Sequence, residues 1–180
     1  NYILPEAMLY AYHLTENNLY KNIAIESLDF LLFKKFPNGH SKVALVNGLY
    51  SKETETNQSV EQPIEVTQTI QALDAFRKAF HNDDYRLKME ITFNWFLGQN
   101  QLDQIMYNPI NGGCYDSLEK NHVNLNQGAE STISYVMARL VMEEKRISDK
   151  AEIIKKQKEA IFTSLLGNKM DEKYNVISNN

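Results

Sequence analysis

The chain has 180 residues, 43% of them hydrophobic and 23% charged, with a net charge of −4 and an isoelectric point near 5.6. That size and balance suit one globular domain, and an acidic chain with no dense basic cluster excludes nucleic acid as a partner. No apolar run reaches the roughly 18 residues that cross a bilayer, and the single cysteine, Cys114, excludes an intrachain disulfide and fits a reducing, cytoplasmic setting.

Taken in chain order, the apolar spacing predicts six helices. The first covers 5–15, with Met8, Leu9 and Tyr12 on one face, and the second 17–34, with Ile23, Ala24, Ser27, Leu28 and Leu31. The third covers 63–80, opening on Pro63 and carrying Val66, Ile70, Leu73 and either Phe76 or Arg77. The fourth covers 83–97 and stops at Gly98. The fifth covers 127–144, with Ile133, Val136, Met137, Leu140 and Val141 as its buried stripe. The sixth covers 148–166, with Ile147, Ile154 and Ile161 at seven-residue intervals, and ends before Gly167. Residues 170–180 read as a flexible tail after one domain over 1–169.

Glycine and proline are scarce and fall between these segments, the pattern of an all-α fold. "NNLYKNIAIESLDFLL" (17–32) aligns with "DDYRLKMEITFNWFL" (83–97) at an offset of 66, which predicts repeated antiparallel helical hairpins. The joints at 35–62 and 98–126 are long, and long ordered loops carry function. The first contains Asn47-Gly48, the turn of a small β-hairpin.

Three acids sit in first turns: Glu6 after Pro5, Glu65 after Gln62-Pro63-Ile64, and Glu130 after Asn126-Gln127-Gly128. Stacked hairpins gather such helix starts at one end. The expected rim holds Glu61, Gln62, Glu65, Asn126, Gln127 and Glu130, with Tyr115, Asp116 and His122 nearby. Carboxylates and amides bind sugar hydroxyls, and tyrosines stack on sugar rings. Glu65, Asp116 and Glu130 are then the candidate catalytic acids, and the other six the substrate-binding set.

Each acid alone is also accounted for by the helix dipole, worth about 0.3–1 kcal/mol, and Asn126 by an ordinary N-cap. Gly128 adds a further clue, because glycine in a first turn costs about 1 kcal/mol against alanine. It implies that protein or ligand packs close to the backbone there. The dipole favours the charged form of Glu130, which suits a base or hydroxyl acceptor better than a proton donor. The four histidines form no HxH or HExxH, so no metal or other cofactor is expected, and Cys114 reads as inert.

Gln62-Pro63-Ile64-Glu65, Trp95-Phe96-Leu97-Gly98, Gly112-Gly113-Cys114-Tyr115-Asp116 and Asn126-Gln127-Gly128-Ala129-Glu130-Ser131-Thr132 together resemble an α-helical region of bacterial carbohydrate-related proteins. That region often follows a group 1 glycosyltransferase domain, and its hairpins look like those of six-hairpin glycosidases, which close into an (α/α)6 toroid. The resemblance covers roughly 60–143 and assigns no catalytic role. It implies about half a toroid, to be completed by a partner domain or a second chain, and a carbohydrate or glycan ligand. Asn1 in place of an initiating Met accords with a processed or partial chain. Three readings follow: a carbohydrate-active domain, a non-catalytic accessory domain that positions a glycosyltransferase, or a helical interaction module.

Overall fold

The computed structural model describes residues 1–36 and 60–177, and the expected hairpin about Asn47-Gly48 lies outside them. The described chain is mostly helical: α1 (Ile3–Thr15), α2 (Asn18–Lys35), α3 (Pro63–Phe80), α4 (Asp84–Phe93) and α5 (Ala129–Ile177), with strands β1 (Ser117–Leu118) and β2 (Val123–Asn124) between α4 and α5. Packing divides it into two units, Asn1–Val141 and Met142–Asn180, so that α5 begins in one and ends in the other.

In the first unit α1 packs on α2, α3 packs on α4, and α1 also touches α3. The two short joints repeat the same devices. Glu16 and His81 both take left-handed backbone, at φ 56° and 52°, and return their N–H to Tyr12 and Arg77. Asn17 Oδ1 then accepts from Leu19 N, and Asn82 Oδ1 from Asp84 N, each at 2.9 Å. A short polar side chain holding a backbone N–H two residues on is the usual way such a turn is locked. The joints therefore match at an offset of 65, and one extra residue, Asp83, restores the offset of 66 along the following helices.

Pro63 opens α3 as expected, with Gln62 at its N-cap. The stripe of Val66, Ile70, Leu73 and Phe76 is fully buried and joins Leu9, Leu28, Met89, Trp95 and Phe96 in the core. Regular helix stops earlier in α4 than expected. After Phe93 the chain tightens, Trp95 N donating to Thr92 O and Phe96 N to Phe93 O, before Gly98 turns it at φ 100°.

The long loop after Gly98 is fastened by Asn100. Its buried amide donates to the carbonyls of Trp95 and Gln104 and accepts from the N–H groups of Leu102 and Gln104. Further on, Met106 N donates to Phe96 O and Tyr115 N to Met106 O. β1 and β2 pair antiparallel, Ser117 with Asn124 and Leu118 with Val123, and Leu118 also bridges Glu61.

α5 departs from expectation in two ways. Its buried face in the first unit is Ser131, Ser134, Tyr135 and Ala138, whereas Ile133, Val136, Met137 and Leu140, expected as core, are exposed. The reason is close approach. Thr67 Oγ1 on α3 donates to Ser134 O at 2.8 Å, and Cys114 N donates to Thr132 Oγ1 at 3.2 Å, contacts that small side chains permit and large ones would block. Tyr135 alone is large on that face, and it stacks on Tyr107 with centroids 5.0 Å apart and meets Phe96 at 5.1 Å. The helix also does not break between 144 and 148. "EEKRIS" contains no proline or glycine, Arg146 pairs with Glu143 at 3.0 Å, and α5 continues through Gly167 and through 170–177, expected as tail.

Candidate functional site

Glu61, expected on an open rim, is buried. Its N–H and carbonyl both bond Leu118, at 2.8 Å each, and its Oε2 accepts the Trp95 indole N–H at 2.6 Å. The residue just before α3 is thus stitched to β1 by its backbone and to the core by its side chain. A carboxyl oxygen on a buried indole N–H leaves neither polar group unsatisfied.

Glu65 is half-buried on α3 and receives the Gln62 backbone N–H, the reciprocal half of a capping box. Burial raises the pKa of its carboxyl, opposed by the nearby charge of Lys35 and by the Gln62 bond. Glu6 on α1 is likewise raised by burial, against a hydrogen bond from Tyr10.

Lys35 is the group that sequence reasoning missed. It is the last residue of α2 and buried. Its Nζ donates to Thr69 Oγ1 at 2.7 Å and lies 5.0 Å from the centroid of the Tyr2 ring. Burial pulls its pKa down to about 7, against the pull of Glu65 and Glu61 in the other direction. A signal was present: Ala24, Leu28, Leu32 and Lys35 follow one another at helical spacing, which puts the lysine on the apolar face. The result is a buried polar cluster of Lys35, Glu61, Glu65 and Thr69 beneath the start of α3.

The second expected group forms around the start of α5. Asp116 Oδ1 accepts the Gly128 N–H at 2.7 Å, and the Asp116 N–H is shared between the carbonyls of Asn124 and Asn126. A Cβ at position 128 would stand 2.9 Å from that same Oδ1, so the close neighbour implied by the glycine is a protein carboxylate. Asn126 does not cap the helix, which starts at Ala129; its carbonyl serves Asp116 instead. The Gln127 amide lies over Gly113, where any Cβ would collide with it. Tyr115 is part-buried, its N–H held by Met106, and Cys114 is buried with its thiol donating to Met106 O at 3.1 Å. Burial, with the Asp116 charge, pushes that thiol up to about 12, which makes it a poor nucleophile.

Glu130, Gln62 and His122 are exposed. His122 closes the turn between β1 and β2, its carbonyl accepting from Glu119 N at 2.8 Å. It lines a surface depression of about 360 Å³ with Leu102, Gln104, Asn121, Val123 and Leu125, and none of the acids named above is among the lining residues. Of the three candidate catalytic acids, Asp116 and Glu65 thus serve helix starts. Among the described residues no group of three His, Cys, Asp or Glu is placed to hold a metal, and no helix is long and apolar enough to cross a membrane. No protein-family model matches the chain, and no curated protein matches it in sequence.

Proposed function

We propose that this chain is a non-catalytic accessory module of a bacterial carbohydrate-handling protein, which holds or positions a glycan or a glycosyltransferase. The observation that carries the reading is the commitment of Asp116 to the Gly128 N–H at 2.7 Å. That bond accounts for Asp116 by the helix start it serves, and inverting hydrolysis needs two carboxyl groups roughly 6.5–9.5 Å apart across the scissile bond. The helix starts still present Gln62, Gln127 and Glu130 to solvent, groups that hydrogen-bond sugar hydroxyls.

The helical pairs α1–α2 and α3–α4, with their matching joints, support stacked hairpins, but two pairs are a third of an (α/α)6 toroid rather than the expected half, because α5 does not break into a third pair. Titration of the chain with oligosaccharides and with a glycosyltransferase of the same cell, beside a hydrolysis assay on aryl glycosides, tests the reading. Binding without turnover is expected. Turnover abolished by Glu130→Gln with the fold intact would overturn it, as would failure to bind either class of partner.

A further inference from the structure

From Glu144 to Ala160 every described side chain of α5 is exposed, including Ile147 at 68% and Ile154 at 50%. Ile147, Ala151, Ile154 and Lys158 fall at alternating steps of four and three, and the sequence carries that step on to Ile161 and Leu165. This is the spacing of a coiled-coil seam. The ion pair of Lys156 with Glu152 at 2.7 Å lies off the seam and supports the helix by itself.

The charges on the seam decide what covers it. Glu144 and Lys158 occupy equivalent seam positions, seven residues either side of Ala151. A parallel partner of the same sequence would set Glu144 on Glu144, Lys158 on Lys158, and the flanking Lys150 on Lys155. An antiparallel partner of the same sequence sets Glu144 within one turn of Lys158 at both ends. It also places Ile154 across from Ala151, large against small. The pattern is self-complementary under a two-fold axis, the condition for an isologous interface.

We infer that α5 beyond Val141 is a dimerisation helix, pairing antiparallel with the same helix of a second copy through Ile147, Ala151 and Ile154. The interface is independent of the carbohydrate reading.

Sedimentation equilibrium of the full chain tests this. The wild type is expected to dimerise at micromolar concentration, and Ile147→Asp with Ile154→Asp to be monomeric with its circular dichroism and Trp95 fluorescence unchanged. Lys158→Glu alone should weaken the dimer about tenfold by turning two attractions into repulsions. Adding Glu144→Lys should restore it. A monomeric wild type overturns the proposal, whatever other partner the helix then binds. So does a dimer indifferent to the isoleucine changes. A dimer indifferent to Lys158→Glu overturns the antiparallel arrangement, because in a parallel pair that change only replaces one like-charge contact by another.

Discussion

The Asp116 carboxylate receives the Gly128 N–H at 2.7 Å in space that a side chain at position 128 would occupy. One contact therefore does two jobs: it satisfies an N–H at the start of α5 and fastens the loop before β1 to that helix. Gly128→Ala should cost about 1–2 kcal/mol, from the displaced carboxylate and the lost bond. Asp116→Ala should cost about as much, and the double variant less than the sum, since both remove one interaction. Urea unfolding of the four proteins measures this; full additivity would show that the contact carries no coupling energy.

Glu61 and Trp95 offer a test with its own reporter, because Trp95 is the single tryptophan. Glu61→Ala strands a buried indole donor and is expected to cost about 1–3 kcal/mol, with a changed emission spectrum. Glu61→Gln keeps an acceptor oxygen and should cost less.

Lys35 sets a pH dependence whose sign is opposite to that of an ordinary surface lysine pair. Its folded pKa is about 7 and its ordinary value 10.5. Below pH 7 both folded and unfolded chains hold the proton, and the folded state bears the full burial penalty. Between 7 and 10.5 only the unfolded chain holds it, so stability rises with pH, by up to about 1.4 kcal/mol per unit. Glu65, raised by burial, acts in the opposite sense in the acid range. Unfolding free energies at pH 7, 8 and 9 should therefore climb, and Lys35→Met should flatten the climb. Equal slopes in the two proteins would exclude Lys35 as its source.

The reversed faces of α5 predict an unusual pair of substitutions. Tyr135→Ala removes a buried ring packed on Phe96 and Tyr107, for about 3–5 kcal/mol. Leu140→Ser, at a leucine 63% exposed, should stay within about 0.5 kcal/mol in the first unit. Thermal melts of both variants decide it; the opposite ranking would return Leu140 to the core.

Much of this was legible in the residues. The helices up to Phe93 follow from apolar spacing, Pro63 and the Asn and Asp residues at the joints, because those are local effects of periodicity and capping. The close neighbour of Gly128 was also readable, since a glycine in a first turn is costly without one. The rim was not. Glu61 and Glu65 flank Pro63 in the chain just as surface acids would, and their burial comes from Lys35, Trp95 and Leu118, which lie 26 or more residues away in sequence.

By itself the sequence determined an all-α framework, its joints and an inert cysteine, because backbone preference and the spacing of apolar side chains act over a few residues. Tertiary structure alone decided which face of α5 is buried and which acids are free. Periodicity marks the apolar stripe Ile133-Val136-Met137-Leu140 without saying what it meets. α3 meets α5 where the Thr67 hydroxyl reaches the Ser134 carbonyl at 2.8 Å, and the face turned inward there carries Ser131, Ser134, Tyr135 and Ala138.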